Sequence, residues 1–321
     1  MTKSPHQQPT PGYETPMTRT SLIIVTVILA GLCYTLPVAA QPQQDSPWVF
    51  RAEGALLHQS ETDLSDEEGA FAIDRWFASG GFDYVWDQRS SLGFTIGGGK
   101  SIYEFDELTE FGGGDPWGTV KEARFSLTWR FGFGETGSMI FIPTMRFNGE
   151  SGASSGDSST YGLFAAAAWR INEDLTIGPG IGLFSRLEDG TRAFPILLID
   201  WDISERWNLG TGRGLAASQG PGLTLSYTLN DAWSFGLAGR YEDTEFRLDN
   251  EGAAPGGVGR DQSIPLVAMA TLEPSRKLRL SVFAGIEFNG THKLKDAQGV
   301  TIEEVDYDPA PTFGLVVEFR F

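Results

Sequence analysis

The chain has 321 residues, enough for one large all-β unit or two ordinary domains, and 24 basic against 42 acidic residues leave a net charge of −18. Such an acidic surface argues against a nucleic-acid partner. Forty glycines and 12% aromatics suit close-packed strands more than helices. A helical membrane protein would show several apolar runs of roughly 20 residues, and the sequence shows one.

That run spans residues 21–40, with Arg19 ahead of it, Pro37 at its end and the small residues Val38-Ala39-Ala40 closing it. A signal peptidase reads small residues at the end of a short apolar region. The expectation is a signal peptide over 1–40, cleaved after Ala40, with Met17 as a possible true start. A short periplasmic lead would occupy 41–47 and a barrel 48–321. The alternative is a retained transmembrane anchor; a lipoprotein is disfavoured because Leu32, not a small residue, precedes Cys33. Cleavage would remove Cys33, the one cysteine, so no disulfide forms in an oxidising compartment. It would also remove Lys3, Arg19 and Glu14, leaving the mature chain one unit more acidic.

From Trp48 onward the dominant period is two. Between 121 and 133, Lys121, Ala123, Phe125, Leu127, Trp129, Phe131 and Phe133 share one face; Glu122, Arg124, Ser126, Thr128, Arg130 and Gly132 share the other. Alternate side chains of a strand point to opposite faces. The pattern recurs over 76–87, 92–99, 161–171, 278–288 and 313–321. Strands are expected near 48–58, 71–87, 90–104, 118–133, 138–149, 158–172, 174–187, 193–203, 206–213, 220–230, 232–247, 262–272, 276–289 and 310–321. Tight connections alternate strictly with mostly longer ones, as short periplasmic turns and long outer loops do. This predicts an all-β, transmembrane, antiparallel up-and-down β-barrel of about fourteen strands, with twelve as the alternative count.

Two features set this apart from a soluble sandwich, which also alternates. The tight turns repeat: Trp169-x-Ile171-Asn172-Glu173-Asp174-Leu175 parallels Trp201-x-Ile203-Ser204-Glu205-Arg206-Trp207 and Tyr227-x-Leu229-Asn230-Asp231-Ala232-Trp233. Asn, Ser and Asp favour turns because their side chains bond nearby backbone. Seven of the nine tryptophans, Trp48, Trp86, Trp129, Trp169, Trp201, Trp207 and Trp233, fall beside the tight turns; Trp76 and Trp117 do not. Rings with a polar edge prefer a membrane–water boundary.

The last strand, Leu315-x-Val317-x-Phe319-x-Phe321, resembles the terminal β-signal of Gram-negative outer-membrane proteins. The resemblance covers the mature chain in pattern and is specific in motif over those residues alone. It implies insertion by the barrel-assembly machinery, with the lipid bilayer and lipopolysaccharide as surroundings. Residues 227–321 also resemble an uncharacterised barrel group known only as a domain of unknown function, which implies no activity.

Chemical motifs are sparse. Gly97-Gly98-Gly99-Lys100-Ser101 ends like a phosphate-binding loop, but Phe94 stands where that motif needs glycine, so no nucleotide is expected. His58, Ser60 and Glu61 or Asp63 sit together at an outer rim, where some barrels are lipid hydrolases; a triad is recognised by geometry, not by sequence proximity. The acidic run with Asp63, Asp66, Glu67 and Glu68 lacks the glycine and spacing of a calcium loop. No metal and no cofactor is expected. The remaining candidates are lumen-facing charges: Arg124, Arg146, Arg170, Arg186, Arg240 and Arg279, with Asp83, Glu122, Asp200, Glu242 and Glu287. Inward Gly and Ser should leave space for water, and any constriction should come from the longest outer loops, near 248–261 and 290–309. The leading expectation is a passive channel or small-solute pore with a mixed-charge lumen. The alternatives are a closed structural or adhesion barrel with functional loops, and a rim hydrolase.

Overall fold

A computed structural model describes residues 46–65, 68–106, 108, 114–188, 190–211 and 222–321. The signal peptide expected over 1–40, most of the lead expected over 41–47, and Asp66 and Glu67 of the acidic run lie outside the described residues.

The alternating segments become strands β1 (Trp48–Asp63), β2 (Ala70–Asp87), β3 (Ser90–Asp106), β4 (Thr119–Phe133), β5 (Gly137–Glu150), β6 (Ser159–Arg170), β7 (Leu175–Ser185) and β8 (Thr191–Asp202). They continue as β9 (Trp207–Thr211), β10 (Gly222–Thr228), β11 (Trp233–Arg240), β12 (Glu242–Arg247), β13 (Val258–Ser275), β14 (Leu278–Lys295), β15 (Thr301–Tyr307) and β16 (Ala310–Arg320). β11 and β12 both pair with β13 and form one strand broken at Tyr241. β15 and β16 both pair with β14 and form another, broken at Asp308 and Pro309. Neighbours around the barrel are antiparallel, and the sheet closes where β1 pairs with β16 from Arg51↔Arg320 to Gln59↔Thr312. The architecture is a closed antiparallel 14-strand barrel. Closure leaves no strand edge for hydrocarbon to desolvate.

The repeated turns have one cause. Asn172 Oδ1 accepts from the amides of Asp174 (3.0 Å) and Leu175 (2.8 Å), and Asn230 Oδ1 accepts from Ala232 and Trp233 at 2.9 Å each. Ser204 Oγ does the same at longer range for Arg206 and Trp207. Each side chain caps the turn backbone that the strands leave unpaired.

Contacts between strands that are not neighbours identify the inner face. Arg75 on β2 reaches Asp261 on β13, and Tyr103 on β3 reaches the same carboxylate. Arg75, Phe77, Ser79, Gly81 and Asp83 therefore point inward, and Trp76, Ala78, Gly80, Phe82, Tyr84 and Trp86 point outward. The seven girdle tryptophans are 39% to 49% exposed. An outward apolar band of this kind, seen among the described residues, has no place in water and fits hydrocarbon. Trp76, also outward, lies ten residues above Trp86, about 33 Å along the tilted strand and about 25 Å along the barrel axis, so it marks the other boundary of the band. Trp117 instead is buried inside the outer end.

The outer end departs from expectation. Residues 258–261, 290–295 and 301–307, read as loop, are strand. β12, the outer parts of β13 and β14, and β15 form a four-stranded extension that folds across the barrel mouth. Its free edge touches β5 through a parallel bridge, Arg247↔Gly149, and Asn148 Nδ2 donates to the Glu245 carbonyl at 3.3 Å. One face packs Phe246, Leu294, Val305 and Tyr307 against Phe71, Ile73, Tyr103, Trp117 and Val120. The other carries Asp243, Glu245, Arg247 and Arg260 toward the outer ends of β7 and β8. Over β12 and the outer parts of β13 and β14 both faces are covered, so neither repeats an apolar–polar alternation, whereas β15 keeps one exposed face with Ile302, Glu304 and Asp306. The constriction is thus built of strands rather than of loops.

Candidate functional site: the lumen

The lumen is layered along the barrel axis. Near the tight turns lies a polar chamber of about 510 Å³, lined by Arg51, Glu53, Ser79, Thr95, Arg124, Arg279 and Glu318. Arg51 on β1 donates to Asp83 on β2 at 2.8 Å. Arg279 on β14 donates to Glu273 at 2.9 Å and lies 3.6 Å from Glu318 on β16. The Arg124 guanidinium sits 4.9 Å over the Phe77 ring. Cross-strand pairs of this sort hold long side chains against the wall and leave the middle of the chamber open.

Above the chamber, Arg75 Nη1 and Arg240 Nε each lie 3.8 Å from Glu242, and Ser263 Oγ donates to Glu287 at 2.9 Å. Glu122 faces the same level from β4, opposite Asn148 on β5. Asp261 organises the next layer, accepting from Arg75 at 2.7 Å, Tyr103 Oη at 2.9 Å and Tyr307 Oη at 3.3 Å. Three donors compensate a carboxylate that is only 4% exposed.

The aromatic cluster then closes the outer end. His292 is its polar member, with rings of Phe71 at 4.4 Å, Tyr307 at 5.0 Å and Trp117 at 5.2 Å around it. Its closest charge is Asp261, 3.7 Å from Nε2. His292 lies four residues beyond Phe288, the last outward apolar residue of β14, and so stands outside the membrane band. Burial holds its pKa down to about 4, with Asp261 opposing the shift.

The proposed lumen charges sort by level. Arg124 and Arg279 line the polar chamber, with Asp83 as the partner of Arg51. Glu122, Arg240, Glu242 and Glu287 meet at mid-height. Arg146 lies 4.7 Å over the Phe184 ring, and Arg186 donates to Glu245 at 2.7 Å at the outer end. Arg170 and Asp200 are not brought to this group: they are exposed near the periplasmic ends of β6 and β8, where Asn208 donates to Asp200 at 2.9 Å. The expectation that inward glycines hold water is corrected at three of them, whereas Gly81 lines the polar chamber. Rings of Phe77, Phe184 and Phe194 lie over Gly97, Gly162 and Gly182, where a Cβ would collide with them. Those glycines seat aromatics instead.

Sequence reasoning passed over Arg51, Arg75, Tyr103, Asp261 and His292. The outer half of β2 places Phe71, Ile73 and Phe77 on the inner face beside Arg75, so both faces read as apolar and the alternation gave no sign. At the rim, His58 Nδ1 lies 2.8 Å from Asp74 Oδ1 on the outward face. Its acid is therefore Asp74, not Glu61 or Asp63.

No known family profile matches the sequence, and no curated protein matches it. Solved structures do align. An outer-membrane channel from Pseudomonas putida F1 aligns at 10% identity over 89% of this chain and 100% of that one, with a TM-score of 0.42. A Pseudomonas aeruginosa FadL homologue aligns at 11% identity over 85% and 89%, TM-score 0.41. The translocator domain of the autotransporter NalP from Neisseria meningitidis aligns at 13% identity over 94% and 95%, TM-score 0.37.

Proposed function

We propose that this protein is a channel for small solutes in the bacterial outer membrane, held shut at its outer end. The observation that carries the reading is the open polar chamber of about 510 Å³ behind the aromatic closure. A lumen filled for stability alone would extend its cross-strand ion pairs through that space. The tryptophan girdle, the single set of tight turns and the leader expected over 1–40 support the outer membrane as the place, with bilayer lipid and lipopolysaccharide around the barrel. The assembly machinery would read Leu315, Val317, Phe319 and Phe321. Neither a cofactor nor a nucleotide enters the scheme.

The test is single-channel recording in planar bilayers. Wild type should open rarely, and Trp117→Ala with Phe246→Ala should raise the open probability at least several-fold. The second reading, a closed structural barrel, is favoured by the continuous apolar cluster across the mouth. Wild type and variant that both stay at baseline would establish that reading and remove the first.

A further inference from the structure

The outward face of the barrel carries little positive charge. Among the described strand residues from β1 to β11, Lys100 on β3 and Lys121 on β4 are the two basic side chains on outward positions. They are direct register partners, and Lys100 is also opposite Trp76 on β2. The pair therefore sits at the boundary of the apolar band that Trp76 marks, away from the tight turns. Directly opposed side chains have their Cβ atoms about 5 Å apart, and like charges placed so destabilise a sheet.

No neighbour on the protein relieves that repulsion. Among the described residues neither lysine has an ion-pair partner. The outward carboxylate nearest in register is Asp74, diagonal to Lys100, and it lies 2.8 Å from His58 Nδ1. Glu104 is four residues further along β3, roughly 13 Å away.

On the membrane side of the lysines, the next outward row is Gly54, Ala78, Gly98 and Ala123 across β1 to β4. Val317 and Phe147 end it. Across four strands no side chain of this row exceeds a methyl group, so the surface is recessed between larger neighbours. The recess alone would take any acyl chain. The two ammonium groups above it select an anionic head. A phosphodiester, with one charge, offsets half of theirs; a phosphate monoester carries close to two.

We infer that Lys100 and Lys121 hold a phosphate monoester of the lipid anchor of lipopolysaccharide, with its acyl chains against Ala78, Gly98 and Ala123. The phosphate oxygens accept from both ammonium groups, and Trp76 supplies an amphipathic ring at the same level. The inference rests on the outer membrane as the place of the barrel and not on conduction.

The test is native mass spectrometry of the full barrel in neutral detergent. The probes are lipid A, the same lipid with its phosphates removed, and phosphatidylglycerol. Wild type should retain one lipid A, at least five-fold over either other lipid. Lys100→Gln with Lys121→Gln should lower lipid A retention to that of the dephosphorylated lipid. Lys293→Gln, in the outer extension, should leave it unchanged. Urea unfolding in phosphatidylcholine discs gives a second readout. Doping with lipid A should raise the wild-type midpoint and not that of the double variant. Without lipid A the double variant should be at least as stable as wild type, because the repulsion is gone. Heat-modifiable gel mobility reports folding, and Lys121→Gln alone carries the comparison if the double variant does not fold. Equal retention with and without phosphate, a double variant that retains lipid A as wild type does, or phosphatidylglycerol held as tightly would overturn the inference. A barrel that conducts in bilayers but does not prefer lipid A sinks this inference alone. Cell fractionation that finds the barrel outside the outer membrane sinks the reading of place, and the mass spectra do not depend on it.

Discussion

The Arg75 guanidinium lies 2.7 Å from the Asp261 carboxylate, although 186 residues separate them in sequence. The bond crosses the lumen from β2 to β13 and ties the barrel wall to the extension that shuts its mouth. Tyr103 and Tyr307 donate to the same carboxylate from two further strands. Asp261→Asn should therefore destabilise the barrel by about 2–4 kcal/mol, because a buried arginine loses its nearest counter-charge and keeps only the more distant Glu242. Arg75→Met with Asp261→Leu should cost less than the sum of the single changes. Urea unfolding in lipid measures both, and strict additivity would mean that the pair is not coupled.

His292 makes the outer closure sensitive to acid. In an unfolded or opened segment it takes a proton near pH 6.5; in the closed cluster it stays neutral to about pH 4. The open form binds more protons between those values, so closure is at full strength above pH 6.5 and weakens as pH falls. The loss by pH 4 is on the order of 3 kcal/mol. Tryptophan fluorescence of Trp117, or open probability in bilayers, should follow that window. His292→Phe should flatten the response; an unchanged response would place the titrating group elsewhere.

Leu127 and Ser126 are neighbours on β4 with opposite surroundings. Leu127 is 42% exposed on the outward band, whereas Ser126 Oγ lies 3.2 Å from Thr144 Oγ1 inside. Leu127→Arg should cost about 2–4 kcal/mol in bilayer refolding. Ser126→Arg should cost well under half of that. Equal costs at the two positions would refute the facing of this strand.

Phe321 closes the sheet by backbone alone. Its amide donates to the Phe50 carbonyl at 2.9 Å, and its carbonyl accepts from Phe50 at 3.1 Å, while its side chain is 63% exposed. Phe321→Asp keeps both backbone bonds and removes less than half of the roughly 1–3 kcal/mol that full burial of such a ring is worth. Stability after refolding should change little, yet membrane yield in cells should fall several-fold if the terminus is an assembly signal. A fall of both together would make Phe321 a structural residue only.

The leader is tested separately. N-terminal sequencing of the membrane-bound protein should begin at Gln41. A sequence beginning before Ala40 would show that the apolar run is retained.

Within the membrane band, sequence alone determined which way each strand faces. Lipid on one side and a polar interior on the other force a strict period of two, visible in Leu127 beside Ser126 and in Trp86 beside Asp83. It also marked the tight turns, because Asn172, Ser204 and Asn230 cap them through bonds of two or three residues' reach. Only the tertiary structure decided the outer end. There β12 to β15 fold across the mouth, β12 and the outer parts of β13 and β14 are covered on both faces, and the period that reports a lipid boundary disappears. Asp261 reads as a loop acid and His292 as a rim histidine until Arg75, Tyr103 and Tyr307 are brought around them. The bonds to Asp261 join residues 46 to 186 apart in sequence, and no local pattern encodes which of them will meet.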